Sequence, residues 1–255
     1  MTLTVDLNAD MGEGFGPWVM GDDAGLLPVI TSANIACGFH AGDPSVMAAT
    51  MAAAIKQGVG LGAHPGFADL QGFGRRRLSL SHAELRNMVG YQLGAAQAMA
   101  ALAGGKLRHL KLHGALANMA AEDAGIAVAC FQAARDVAPD IILMAIAATA
   151  QQEAAEAIGG PWVAEVFADR AYNDDATLVD RKLPGAVIHD AETAAARMVE
   201  MIRAGAIITQ SGKHIPTPID TICLHGDTEN AVTIARAVRA ALQAAGIGVA
   251  QFQGR

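Results

Sequence analysis

The 255-residue chain is 52% hydrophobic but only 4% aromatic, and 18 Lys and Arg against 25 Asp and Glu give it a formal net charge of −7. That balance argues against a nucleic-acid or anionic membrane surface, and an interior of Ala, Ile, Val, Leu and Met suits closely packed helix and strand layers. Cys37, Cys130 and Cys223 lie far apart in apolar segments and the longest apolar run is too short to span a bilayer, so a reducing, cytoplasmic setting is expected, with neither a disulfide framework nor a membrane span.

The predicted elements alternate in type along the chain. A first strand over residues 3–7 yields to Asn8, Asp10 and Glu13 among Gly12, Gly14 and Gly16, an acidic loop whose glycines permit close backbone approach to a ligand. No G-x-G-x-x-G opens a helix there, which excludes a dinucleotide fingerprint. Residues 30–37, small and apolar around a lone Asn34, predict a second strand, broken by Gly38 and followed by a loop that carries His40 with no core for it to fill. Asp43 and Pro44 suit the N-cap and first position of a helix reaching residue 57, which Gly58 stops. Because ligands bind beyond the carboxyl ends of strands in such folds, His40 and Asp43 face the expected site.

A third strand over residues 59–63 is tipped by His64, and Arg75, Arg76 and Arg77 follow a glycine-rich stretch as a candidate anion pocket. Ser81 and Glu84 match a capping box for a helix running to residue 102. The fourth strand, residues 107–112, carries His109 and Lys111 on one face by period two and ends at His113; a lysine there needs an anion or a carboxylate. A helix over 121–138, a structural fifth strand over 141–147 and a second capping box at 149–152 come next. The sixth strand, residues 162–168, includes Glu165 and leads to Asp169 and Arg170, followed by a long irregular stretch over 173–188 of the kind that serves as a lid or binding loop. A helix capped by Asp190 runs to 204, and 211–218 is a polar excursion. The seventh strand, 221–224, is tipped by His225 and Asp227, and a last helix ends at Gly246 before a short strand or tail over 247–252.

Seven strands with intervening helices, no linker and no internal repeat predict an α/β fold: one domain over residues 1–255, a parallel (β/α) barrel, seven-stranded and a distorted relative of the TIM type. Its strand tips carry Asp10, His40, His64, His113 and His225. Four histidines at corresponding positions outweigh the ordinary reading of a lone histidine as a packed or solvated residue. With Glu13, the first four tips form the expected catalytic set. Asn8, Asn34, Asp43, Arg75, Arg76, Lys111, Glu165, Asp169, Arg170, His225 and Asp227 are the expected substrate contacts, and a metal, where one binds, would fall to Asp10, His40 and His64.

Six blocks resemble the LamB/YcsF family: DLNADMGEGFG at 6–16, SANIACGFHAGD at 32–43, GAHPGFADLQGFGRR at 62–76, KLHGAL at 111–116, EVFADRAY at 165–172 and ICLHGD at 222–227. The chain departs from that pattern at Leu112, where the family usually has proline, at Ala117, where it has tyrosine, and at Asp175-Ala176, where an Asp-Gly turn is usual. The resemblance implies a seven-stranded (β/α) barrel that works with two further subunits, B and C, to open 5-oxoproline to L-glutamate at the expense of ATP. Nothing in the chain resembles a P-loop or kinase signature, which assigns ATP handling to the partners. Carboxylate and histidines on a distorted barrel also fit a second reading, a metal-dependent deacetylase of a sugar or related amide. A non-catalytic binding module, a third, leaves five polar strand tips without a use.

Overall fold

The computed structural model describes residues 3–225 and 230–255. In chain order the strands are β1 (Thr4–Met11), β2 (Ser32–Ala36), β3 (Gly60–His64), β4 (Leu107–Lys111), β5 (Ile142–Ile146), β6 (Trp162–Phe167), β7 (Ala206–Ile208), β8 (His214–Pro216), β9 (Thr221–Leu224) and β10 (Gly248–Val249). Strands β1 to β6 pair in sequence and β9 bonds to both β6 and β1, so seven parallel strands close into a barrel. β10 adds to the start of β1, and β7 and β8 form a separate antiparallel hairpin.

The helices are α1 (Asp23–Leu26), α2 (Pro44–Lys56), α3 (His82–Leu102), α4 (Gly114–Glu122), α5 (Ala124–Val137), α6 (Ala150–Ile158), α7 (Ala191–Ala204) and α8 (Ala231–Ala244). Their starts follow local chemistry. The Asp43 carboxylate accepts from the Ser45 and Val46 amides, Ser81 and Glu84 complete a reciprocal capping box, and Asp190 caps α7. Among the described residues no helix is long and apolar enough to cross a membrane.

Four expectations are corrected. β1 continues to Met11, so Asn8 and Asp10 stand inside a strand rather than in the loop after it. The barrel lumen is polar there, and Asp6, Asn8 and Asp10 are buried on one face while Leu7, Ala9 and Met11 pack outward into the main core. The helix expected over 121–138 starts at Ala124, and a separate helix α4 precedes it, because Asp123 ends α4 and caps α5 by accepting from the Gly125 and Ile126 amides. The stretch expected as a polar excursion forms the β7–β8 hairpin. The second capping box forms only in part: Thr149 accepts from Gln151 N, but the Gln152 side chain takes the Ala148 amide instead.

Toward the amino ends of the strands the lumen is apolar. Ile142, Met144 and Val163 enclose Phe252 of the C-terminal tail. Arg108 fixes that tail, donating to the Gln251 side chain and to the Phe252 carbonyl, each at 2.6 Å.

Candidate active site at the carboxyl ends of the strands

Lys111, at the end of β4, organises the lumen. Its Nζ lies 2.9 Å from Asp10 Oδ1, 2.9 Å from Glu165 Oε1 and 2.9 Å from Cys223 Sγ, so three strands converge on one ammonium. Burial opposes its charge, yet Asp10 and the other acidic neighbours hold it well above its ordinary value. Burial likewise opposes ionisation of Asp10, but His64 and Lys111 hold its carboxyl well below the usual range. The Asn34 amide donates to Asn8 Oδ1 at 2.7 Å and to Asp10 Oδ1 at 2.9 Å, and His109 bonds Asn34 Oδ1 at 2.8 Å. A buried lysine with two carboxylates is costly to break, of order 3–5 kcal/mol when one partner is removed.

Above this network sit three histidines and a glutamate. His64 Nε2 lies 3.3 Å from Asp10 Oδ2 and 3.0 Å from His113 Nδ1. The His40 ring stacks on His113 with centroids 3.6 Å apart, and its Nε2 is 3.6 Å from Glu13 Oε1. His40 is therefore buried, contrary to the expectation that its loop offers no core: the segment through Phe73 and Gly74 folds over it. A Cβ on Gly74, at φ +61°, would come within 2.7 Å of His40 Cβ, and one on Gly66 within 2.7 Å of His40 Nδ1, which accounts for glycine at both places. Burial, reinforced by the neighbouring imidazoles, pushes His40 and His113 well below the ordinary histidine value, so both rings are neutral at neutral pH.

A cavity of about 860 Å³ opens above the cluster, with Asp10, Glu13, His64, Lys111 and His113 on its floor. Arg75, Arg170 and Arg181 stand on its walls, which makes the rim basic in an acidic protein. The Arg75 guanidinium lies 4.9 Å from the Phe73 ring centre. Arg181 reaches His225 Nε2 at 3.1 Å, while His225 Nδ1 lies 2.7 Å from Asp169 Oδ1.

The expected site residues thus divide. Asn8, Asp10, Glu13, Asn34, His40, His64, Lys111, His113 and Glu165 come together in one buried network. Asp169 and His225 form a pair beside it, and Arg75 stands on the wall. Asp43 is an α2 cap whose second oxygen binds the Gly16 amide at 2.7 Å. Arg76 pairs with Asp69 on a side chain still 62% exposed, so it acts as a strut of its loop at the cavity edge rather than as a floor charge. Arg170 donates to the Val179 carbonyl at 2.6 Å and holds the 173–188 segment against the barrel. Asp227 lies outside the described residues. Sequence reasoning missed Cys223, signalled only by its period-two relation to Thr221 and His225, and Arg181, signalled by the Arg181-Lys182 pair inside a long loop. Among the described residues two sets of possible ion donors lie within 4.8 Å of one another, one of Asp10, Cys223 and His225 and one of Glu13, His40, His64 and His113. In the second set Glu13 and His113 stand where the sequence put Asp10.

Comparison with known proteins adds a family. A model described as the LamB/YcsF family matches residues 5–255. The A subunit of 5-oxoprolinase from Ruegeria pomeroyi is 66% identical over 249 residues, covering 98% of each chain. A crystal structure of a lactam utilization protein from Thermus thermophilus superposes with a TM-score of 0.92 at 41% identity, covering 98% of this chain and 100% of that one. A family 4 carbohydrate esterase from Streptomyces lividans superposes with a TM-score of 0.51 at 12% identity, covering 98% of this chain and 93% of that one, a likeness of fold alone.

Proposed function

The chain belongs to the LamB/YcsF family, and from that premise we propose that it is the A subunit of an ATP-dependent 5-oxoprolinase, a hydrolase acting on a cyclic amide. In this reading it opens the 5-oxoproline lactam to L-glutamate together with subunits B and C, as one barrel domain working in the cytoplasm. ATP is handled by the partners, since the chain carries no phosphate-binding signature. The observation that carries the reading is the buried Asp10–His64–Lys111 floor beneath a basic-rimmed cavity in a member of this family.

A five-membered lactam is a stable amide, and transfer of a phosphoryl group from ATP to its carbonyl oxygen makes the carbon electrophilic. Water then adds to that carbon, the ring C–N bond breaks as the nitrogen takes a proton, and a second water releases phosphate from the acyl phosphate so formed. Asp10, whose Oδ2 lies 3.3 Å from His64 Nε2, is placed to take the proton of the attacking water. His64 Nε2 stands beside Asp10 Oδ2, and Lys111 keeps Asp10 ionised. Arg75 and Arg181 on the walls suit the substrate carboxylate and the phosphoryl group. A divalent ion at the histidines would add a Lewis acid to the same floor. The deacetylase reading retains only a likeness of fold.

Turnover of 5-oxoproline by the purified chain, alone and mixed with candidate B and C subunits, tests this. Glutamate should appear only in the complete mixture with ATP; efficient cleavage by the chain alone, or none in the full mixture, overturns the assignment of roles.

A further inference from the structure

We propose that Glu13, His40, His64 and His113 form a binding site for one divalent transition-metal ion of the Zn²⁺ class. The argument begins with the hydrogen bonds on the far sides of the rings. His64 Nδ1 lies 2.9 Å from the Lys111 carbonyl and His113 Nε2 lies 2.8 Å from the Phe73 carbonyl. A carbonyl can only accept, so each of these nitrogens carries the ring proton. With those nitrogens protonated, the coordinating positions left on the two rings are His64 Nε2 and His113 Nδ1, and they face each other at 3.0 Å. Two facing lone pairs repel unless a cation sits between or beside them. Fixing of a ligand imidazole through its other N–H by a backbone carbonyl is also the usual outer arrangement of metal-bound histidines.

The other two donors complete the set. Among the described residues His40 finds no hydrogen-bond partner for either ring nitrogen although it is only 1% exposed, and its Nε2 lies 3.6 Å from Glu13 Oε1. Glu13 Oε1 in turn lies 3.9 Å from His113 Nδ1. Four ligands ~2.0–2.1 Å from a tetrahedral ion stand roughly 3.3 Å from one another. Separations of 3.0, 3.6 and 3.9 Å bracket that edge, so an ion needs only small shifts of side chains to be held. Three imidazoles and one carboxylate select a borderline divalent ion such as Zn²⁺ or Co²⁺ over Mg²⁺ or Ca²⁺, which prefer all-oxygen sets. Asp10, bonded to Lys111 and Asn34 through Oδ1, stays outside the set and approaches His64 through Oδ2 at 3.3 Å. The competing arrangement is a single proton shared by His64, His113 and Asp10, with no ion.

The site stands on geometry and not on the substrate, so its test is binding. The full-length chain, stripped with a chelator, is titrated with Zn²⁺ alone and with Co²⁺ alone; bound metal is counted by elemental analysis and Co²⁺ is followed by its visible d–d absorption. One ion per chain and a tetrahedral-type Co²⁺ spectrum are expected. His40→Ala should abolish the spectrum, and Glu13→Gln, which keeps size and shape should the alanine variant fold poorly, should weaken binding at least about 10-fold. Absence of stoichiometric binding, or binding that Glu13→Gln leaves unchanged, overturns the proposal. Failure of 5-oxoproline turnover with metal binding intact would instead count against the functional reading alone.

Discussion

The two ends of this barrel are built from the same strands and by opposite means. At the carboxyl ends the lumen holds Asp10, His64, Lys111 and Glu165, each beside a charged neighbour on another strand, with His40 stacked on His113 above them. At the amino ends it holds Ile142, Met144, Val163 and the inserted Phe252, an apolar closure whose tail Arg108 pins from outside by hydrogen bonds. Between them lies Asp6, buried but ringed by the hydroxyls of Thr31, Ser32 and Thr221. The contrast separates function from stability: polar groups at the mouth cost folding energy and are held for chemistry, whereas the plug contributes burial.

The strongest way to break the contrast is Asp10→Asn, which keeps size and most hydrogen bonding. Turnover per folded molecule of the reconstituted complex should fall ~10²–10⁴-fold, and the thermal transition should drop because Lys111 loses one of its two carboxylates. Near wild-type turnover would demote the mouth network to structure. The converse probe is Phe252→Ala at the plug. Truncating so buried a ring should cost about 3 kcal/mol or more in urea unfolding, while kcat per folded molecule stays as it was; a matching loss of kcat would show that the plug sets the geometry of the mouth.

Asp6 sharpens the contrast by pH. Burial pushes its carboxyl up to about 6, against the opposing hydrogen bonds of Thr221, Thr31 and Ser32 and the charge of Arg108. The folded value lies above the unfolded one, so between about pH 4 and 6 the native state binds more protons and stability falls as pH rises. The contribution is fully present below pH 4 and is lost by neutral pH, at most about 3 kcal/mol. Asp6→Asn should flatten that part of the wild-type slope in urea melts at pH 4 and pH 7; an unchanged slope would place the titration elsewhere.

The smallest effects belong to the rim. Arg75→Ala should raise KM for 5-oxoproline by roughly 10-fold or more, the worth of a hydrogen bond to a charged group. Arg76→Ala should change KM less, because its guanidinium is engaged by Asp69. Equal effects on steady-state kinetics would return Arg76 to the anion site.

Much of the site was legible along the chain because strands and helix caps leave local signatures. His64, Lys111 and His113 sit at strand ends bounded by glycine, and Ser81, Asp43 and Asp190 announce the helices they cap. Ala176 shows a local departure tolerated by the fold: it holds φ at 67° where the family usually has glycine, and it is buried in the 173–188 segment. Less legible was anything that depended on which polar residues face one another. Asn8 and Asp10 looked like loop residues because a buried strand is expected to be apolar, and their partners lie 24 to 213 positions away.

What the sequence by itself determined is the alternation of strand and helix, the closure of seven strands into a parallel barrel, and the end of that barrel where chemistry collects; each follows from periodicity, caps and turn residues within a few positions of one another. Only the tertiary structure decided that His40 is stacked and buried rather than free in a loop, that Asp43 caps α2 and Arg76 pairs with Asp69, that Cys223 and Arg181 lie beside the expected residues, and that Glu13 and His113 stand with His40 and His64 in one cluster. The physical reason is that a side chain's role is set by the nearest charge and the nearest donor, and in a closed barrel those neighbours come from strands that no local pattern connects.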